Sequence, residues 1–197
     1  MDKANAKPIL FNTEMVRAIL DRRKTVTRRV IKTQYPIYDG LIIDTTGRHA
    51  IGKIKFSDGK CEGNNDYFKP PYQIGDVLYV RETWANIQGK YFYRADMENP
   101  TCHYKTQWRP SIHMPKEAAR IFLKVTDVRV ERLQDILCSG MQKEGCIPKT
   151  VTGGQWQQWQ KDYFKPLWDS TIKKSETEKY GWQANPWVWV FEFERRC

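Results

Sequence analysis

The last extended segment of the chain, residues 187–193, restricts the fold more than any other stretch. It reads Trp-Val-Trp-Val-Phe-Glu-Phe and is apolar at all positions but one. A strand between a core and solvent alternates apolar with polar residues, whereas this segment is apolar on both faces. We therefore predict that residues 187–193 form an interior strand of a sheet.

The order of the other elements indicates the fold class. Asn12 is a residue type that caps helix N-termini, and helical spacing follows it to residue 20. Strands are predicted at residues 25–30, 77–84, 91–94 and 121–131, a hairpin within 41–56, and further helical spacing at 133–144 and 156–168. Since strands and helices do not alternate regularly, we predict one domain over residues 1–197. It is either an α+β arrangement or a small β-barrel with helices packed outside.

The charge of the chain predicts an anionic partner. Its 33 Lys and Arg residues exceed its 23 Asp and Glu residues, which gives a net charge of +10. Eight Trp residues add rings on which bases can stack, so we predict that the partner is a nucleoside or RNA. A chain that is basic without a specific partner is the alternative.

Other patterns bear on metals, cofactors and compartment. The five Cys residues include no Cys-x-x-Cys pair, and Cys102-His103 has no second ligand pair at zinc-finger spacing, so we expect no metal and no cofactor. Glycine-rich phosphate loops, G-x-S-x-G elbows and H-E-x-x-H motifs are absent, which excludes the common NTPases, serine hydrolases and zinc proteases. No apolar run approaches the roughly 20 residues that cross a bilayer, and no signal-peptide pattern is present, so we expect a cytoplasmic protein without a membrane partner.

Residues 22–29, Arg-Arg-Lys-Thr-Val-Thr-Arg-Arg, place five cations and two hydroxyl groups in eight residues. Helical spacing ends at Leu20 and a period of two begins, so Lys24 lies at a helix-to-strand junction. The amine of Lys24 can then reach the side of the strand that carries Thr27 and Arg29. The predicted directions are a pocket for Lys24, Thr27 and Arg29, the core for Val26 and Val30, and solvent or a phosphate for Arg23 and Arg28. A solvated charge run is the alternative.

Glu144 is a candidate because of its place on a predicted helix. It lies at the last turn, immediately before Gly145, which is a residue type that ends helices in a left-handed conformation. The negative end of the helix dipole disfavours a carboxylate there by a few tenths of a kcal/mol. An acid that helix stability does not call for indicates a functional role.

Four further candidates are expected to contact the ligand. Glu82 and Trp84 end a strand that begins apolar, and Trp84 offers a face on which a base can stack. Ser111 and His113 lie in a loop bounded by prolines at residues 110–115. A hydrogen-bonded structural histidine is the alternative for His113.

Residues 22–29 resemble the G-x-K-x-x-(E/T)-x-R signature of the ASCH domain family, whose members have a PUA-like β-barrel. The longer phage and prophage members are similar at four further stretches, residues 75–84, 110–115, 144–145 and 185–190. The resemblance covers most of the chain apart from insertions near 31–70 and 148–160. Arg22 stands where the family has Gly, and at a positive φ it carries strain on the order of 1 kcal/mol.

The resemblance implies one of two functions. ASCH and PUA-like domains are proposed RNA binders that read nucleotides in a cleft beside the barrel. Some small ASCH proteins are amidohydrolases that remove the acetyl group from N4-acetylcytidine with a lysine, a threonine and a glutamate. These three residues align with Lys24, Thr27 and Glu144.

The residues themselves allow the same chemistry. Cleavage of an acyl amide needs a nucleophile, a base and a proton donor for the leaving amine. The predicted roles are nucleophile for Thr27, base for Lys24, orientation of the lysine or proton transfer for Glu144, and stabilisation of an oxyanion for Arg29. The alternatives are phosphate contacts and ordinary strand or ion-pair roles, in a non-catalytic RNA-binding module or a phage structural protein with a vestigial pocket. The exact substrate and the oligomeric state stay open.

Overall fold

The structure is a computed structural model that describes residues 5–32, 41–43, 54–56, 67–68, 70–97, 106–146 and 156–196, and its fold is α+β. The strands are β1 (Lys7–Leu10), β2 (Val26–Val30), β3 (Leu41–Ile43), β4 (Ile54–Phe56), β5 (Tyr67–Phe68), β6 (Val77–Arg81), β7 (Trp84–Ile87), β8 (Lys90–Tyr93), β9 (Phe122–Arg132) and β10 (Trp187–Arg196). The helices are α1 (Thr13–Leu20), α2 (Cys138–Lys143), α3 (Trp156–Trp159), α4 (Lys165–Thr171) and α5 (Thr177–Tyr180). None of these helices is long and apolar enough to cross a bilayer.

Five strands form the main sheet in the order β1-β6-β9-β10-β2. β1 runs parallel to β6, and the other neighbours are antiparallel. β10 lies between β9 and β2, so the interior strand predicted from residues 187–193 is confirmed. Trp189 and Phe191 pack in one apolar cluster with residues of α1, whereas Val188 and Val190 pack in a second cluster with Phe164. Because both faces of β10 are buried, its sequence does not alternate.

β1 and β2 are the two edges of this sheet. Nη2 of Arg29 on β2 donates to the carbonyl of Leu10 on β1 over 2.8 Å, so the edges approach each other there. Within the described ranges no ladder joins them, and closure into a barrel stays a prediction. β3, β4 and β5 form a separate sheet in which β3 and β4 are antiparallel, as the predicted hairpin requires, although the residues between them lie outside the described ranges.

The helix predicted at residues 133–144 is interrupted. It consists of a 3-10 turn, Leu133–Asp135, and α2, with extended backbone at Leu137 between them. Leu133 and Ile136 are fully buried in the second cluster, whereas Leu137 is exposed. The N–H of Leu133 also donates to the Pro186 carbonyl. Tertiary contacts therefore override the local helical spacing.

The strand predicted at residues 77–84 ends early. β6 stops at Arg81, and the N–H of Glu82 donates to the sulfur of Met114. Trp84 instead opens β7, where its main chain exchanges two hydrogen bonds with Arg109. The chain thus leaves the main sheet at Glu82.

The helix predicted at residues 156–168 contains a π-turn. α3 is followed by a wider π-turn, Gln160–Phe164, and then by α4, which has Pro166 in its first turn. Proline lacks an N–H group and its ring clashes with the preceding turn of a regular α-helix, and the π-turn lies directly before α4. Helical backbone therefore continues through the π-turn, and Phe164 and Trp168 belong to the second cluster.

α1 ends in a Schellman motif at Arg22. The N–H of Arg22 donates to the Ile19 carbonyl and the N–H of Arg23 donates to the Ala18 carbonyl. This motif needs a left-handed residue after the C-cap, and Arg22 has φ 59°. The strain expected from an arginine at the glycine position of the signature is therefore present.

Replacement of Arg22 by glycine is expected to stabilise the protein by about 0.5–1 kcal/mol, because the strain is relieved and only part of the gain is lost to a more flexible unfolded chain. Arg22→Ala is the matched control, since it removes the charge and keeps the Cβ atom. Urea unfolding of both variants decides the cause. A gain from Arg22→Ala equal to that from Arg22→Gly would assign the effect to the charge and not to the backbone.

Candidate functional site

The turn between α1 and β2 docks on the C-terminal end of α2. The N–H of Thr25 donates to the Lys143 carbonyl over 2.8 Å, and Nη1 of Arg23 donates to the Gly145 carbonyl over 3.0 Å. The carbonyls at the end of a helix have no partner within the helix and carry partial negative charge. The cationic turn satisfies them, and this contact brings Lys24 to Glu144.

Lys24 and Glu144 form a buried ion pair. Nζ of Lys24 lies 2.5 Å from Oε2 of Glu144, and the two residues are 2% and 5% exposed. Nζ also donates to the carbonyls of Val26 and Glu144, over 2.8 and 3.2 Å. Burial lowers the pKa of Lys24 below its ordinary value because it disfavours the ammonium form, and the Glu144 carboxylate acts in the opposite direction.

Arg28 is buried, so the prediction that it faces solvent is wrong, whereas a phosphate contact stays a prediction. Only 6% of the residue is exposed, and its Nη1 donates to Oε1 of Glu144 over 3.1 Å. Nη2 donates to Glu131 on β9 over 3.0 Å, and Glu131 is also bound by Arg129. Two carboxylates from distant parts of the chain hold the guanidinium group and offset the cost of burying its charge. Nothing in the cation run itself distinguishes Arg28 from its neighbours.

A pocket lies along the edge of β2. Thr27, Arg28 and Arg29 all line it, and since neighbours on a strand point to opposite faces, a pocket that touches three in a row lies at the edge of the strand. The other lining residues are Met15, Glu144, Phe164, Leu167, Trp168 and Thr171. The cavity measures about 20 Å³, enough for one water molecule, within a concavity of about 320 Å³ that includes open solvent.

Main-chain groups of β2 point away from β10 at the edge of the sheet. Main-chain hydrogen bonds join β2 to β10 just beyond each end of β2. The N–H of Ile31 donates to the Trp187 carbonyl, and the N–H of Phe193 donates to the Thr25 carbonyl. Hydrogen bonding alternates along an antiparallel pair, so the N–H and C=O groups of Val26, Arg28 and Val30 point away from β10. The Val26 carbonyl accepts from Lys24. The main chain of Arg28 therefore faces the pocket side of the strand.

The structure brings together four of the predicted site residues, Lys24, Thr27, Arg29 and Glu144. Thr27 is 3% exposed and lines the pocket with Glu144. Arg29 also lines it, while its guanidinium group lies 5.4 Å from the centre of the Phe11 ring and binds the Leu10 carbonyl. Lys24 does not line the pocket, but it binds Glu144, which does.

The other four candidates lie away from this pocket. Glu82 is 1% exposed and binds Arg120 through both carboxylate oxygens, over 2.9 and 3.0 Å. Trp84 is buried in a separate apolar cluster. Ser111 and His113 lie in a 3-10 turn, half-buried and exposed respectively. A ligand contact for these four residues stays a prediction.

The chain matches no family model, no curated protein and no solved structure. The ASCH resemblance and the activities it implies therefore stay predictions. Among the residues that the structure describes, no three His, Cys, Asp or Glu side chains lie together as metal ligands, and Cys102 and His103 are outside these residues.

Proposed function

We propose that the chain hydrolyses the amide of an acylated cytosine, such as N4-acetylcytidine, in the pocket beside β2. The observation that carries this proposal is the buried Lys24–Glu144 pair, because Glu144 also lines the pocket that Thr27 lines. A buried ion pair adds little net stability compared with apolar packing, so stability alone is a weak reason to keep one. Desolvated, coupled ionisable groups beside a concavity are typical of active sites.

Thr27 is the nucleophile in this proposal. Its hydroxyl oxygen attacks the acyl carbon, the π electrons of the C=O bond move to the acyl oxygen, and the hydroxyl proton passes to Glu144. The C–N bond then breaks, and Glu144 gives the proton to the leaving nitrogen, which releases cytidine. Water hydrolyses the acyl ester on Thr27 in the same way, and the acid is released.

Lys24 holds the carboxylate in place and is not itself the base, in contrast to the role predicted from sequence. Its Nζ has three acceptors, the carbonyls of Val26 and Glu144 and the Glu144 carboxylate, which account for all three ammonium hydrogens. An ammonium group has no lone pair for the Thr27 proton. Glu144 is therefore the proton acceptor that this geometry favours.

The size of the pocket bears on how such a substrate binds. The cavity of about 20 Å³ is far smaller than the roughly 300 Å³ of a typical ligand pocket. Because the cavity holds a single atom of the size of a water oxygen, we assign the acyl oxygen of the substrate to it, and the rest of the acyl group and the cytosine to the open concavity, toward Phe164 and Trp168.

The finer fold assignment, a PUA-like barrel of the ASCH type, is part of the same proposal. It is supported by the positive φ of Arg22 at the glycine position of the signature. The hydrogen bond from Arg29 to Leu10, which joins the two edges of the main sheet, also supports it. Helices pack against this sheet, as α1 does through Val16 and Ile19.

A non-catalytic RNA-binding module is the second candidate, and the net charge of +10 favours it. Binding through phosphates releases counterions, so the affinity for single-stranded RNA then falls by several orders of magnitude between roughly 50 and 200 mM salt. A flat salt response would count against phosphate contacts. A structural protein with a vestigial pocket would show neither turnover nor such binding.

The turnover assay tests the first candidate. Incubation of the protein with N4-acetylcytidine is expected to release cytidine, and N4-benzoylcytidine is expected to react more slowly because its phenyl ring must share the concavity with the cytosine. Lys24→Ala and Thr27→Ala are expected to abolish release, and circular dichroism checks that each variant is folded. Unchanged rates in both folded variants would sink the assignment.

A further inference from the structure

Arg28 has a hydrogen-bond donor that its ion pairs leave unused. Its Nη1 and Nη2 bind Glu144 and Glu131, whereas its Nε is buried and has no partner in the described parts of the chain. A buried N–H without an acceptor is unfavourable by about 1–3 kcal/mol, so such groups call for an explanation. The residue lines the pocket, where a ligand oxygen would supply the missing acceptor.

The main chain of Arg28 offers a second donor in the same place. Its N–H points away from β10 along the open edge of β2, and it belongs to the residue immediately after Thr27. An N–H directly after a nucleophile is well placed for the oxyanion that forms when the nucleophile attacks. Arg29 is less suitable for this role than the sequence predicts, because its Nη2 is engaged by the Leu10 carbonyl.

The guanidinium group is held in one orientation. Glu144 and Glu131, from different parts of the chain, bind its two terminal nitrogens. The guanidinium group also packs closely against Gly140, where a Cβ atom would lie 3.2 Å from Nη2 of Arg28. Donors fixed before the reaction stabilise developing charge without reorganisation.

On the basis of the proposed function, we infer that Arg28 forms the oxyanion site of this pocket. Its Nε–H and its main-chain N–H donate to the acyl oxygen of the substrate. The oxygen gains negative charge when Thr27 attacks and returns the electrons to the C=O bond when the C–N bond breaks. Arg28 also holds the proton acceptor Glu144. Arg28 thus both stabilises the oxyanion and positions the proton acceptor.

Kinetics of Arg28→Lys test this inference. Lysine keeps the positive charge and lacks the Nε–H, so kcat for N4-acetylcytidine is expected to fall by roughly 10²–10³-fold, as for the loss of one oxyanion donor. The Kd of cytidine, which has no acyl oxygen, is expected to stay within about twofold. Arg17→Lys is the matched control, because it makes the same substitution at an arginine that does not line the pocket and whose Nε donates to the Ala95 carbonyl, and its kcat is expected to stay within about threefold.

An analogue with sulfur in place of the acyl oxygen gives a second test that does not depend on a folded variant. Sulfur accepts hydrogen bonds weakly, so the wild-type protein is expected to cleave N4-thioacetylcytidine at least roughly tenfold more slowly than the oxygen compound. Normal kcat in Arg28→Lys, a parallel loss of cytidine affinity, or equal rates for sulfur and oxygen would overturn the oxyanion role alone. A wild-type protein that releases no cytidine from N4-acetylcytidine would overturn the proposed function, and this inference with it.

Discussion

Glu144→Ala is expected to destabilise the protein by about 3–5 kcal/mol, because it leaves the buried ammonium group of Lys24 without a charged partner. The side chain of Lys24 is 0% exposed, so water cannot replace the lost carboxylate. Arg28 loses one of its two carboxylates in the same step. Guanidinium unfolding, followed by circular dichroism, measures the change in the free energy of unfolding.

Glu131→Ala is the matched control for this variant. It removes the other carboxylate that binds Arg28, but the Glu131 side chain is 25% exposed and Arg28 keeps Glu144. Its cost is expected to be about 1 kcal/mol or less. The double variant Lys24→Met with Glu144→Leu is expected to recover more than half of the loss, because no buried charge is left unpaired. Similar small costs for Glu144→Ala and Glu131→Ala would contradict the buried pair.

Gly145→Ala is expected to destabilise the protein by about 2–4 kcal/mol. Gly145 has φ +78°, and a Cβ atom there would lie 2.8 Å from Cβ of Ala18 and 3.1 Å from Cβ of Lys24. The backbone strain amounts to about 1 kcal/mol, and the forced separation of α1 from α2 adds about 1–3 kcal/mol. Because Lys24 is one of the displaced residues, turnover is expected to fall as well.

Gly89→Ala separates the two causes. Gly89 has φ +81° and a Cβ atom there meets nothing within 4 Å, so the substitution introduces backbone strain alone. A cost of about 1 kcal/mol is expected, with normal turnover. Urea unfolding measures the loss in free energy of unfolding for both variants. Equal losses for Gly145→Ala and Gly89→Ala would show that the close approach of Gly145 to Lys24 does not matter for stability.

Local sequence patterns predicted the elements whose cause is local. Asn12 caps α1 with its side chain, which accepts from the N–H of Met15, and residues 187–193 form an interior strand. Thr27 and Arg29 line the pocket, but so does Arg28 between them, so the period of two at residues 25–30 does not account for which residues line it. Glu144 was a candidate because helix stability does not require a carboxylate at its position, and Lys24 because it lies at the helix-to-strand junction within reach of Thr27 and Arg29.

Features that depend on contacts between distant residues could not be predicted in this way. Arg28 is buried because Glu131 and Glu144, 103 and 116 residues further along the chain, both bind it. The early end of β6 and the break before α2 likewise result from tertiary contacts. Glu82 and Trp84 follow the predicted pattern of a strand that runs toward a site, yet they pack with Arg120 and Met114.

The most direct test is the kcat/KM for hydrolysis of N4-acetylcytidine by Thr27→Val, beside Thr25→Val as the control. Valine keeps the branched shape of threonine and removes only the hydroxyl group, while residue 25 lies two positions earlier on the same side of the chain. A fall of roughly 10³-fold or more for Thr27→Val is expected, with Thr25→Val within about threefold of wild type. Equal kcat/KM values for wild type and a folded Thr27→Val would contradict the assignment of Thr27 as the nucleophile paired with Glu144.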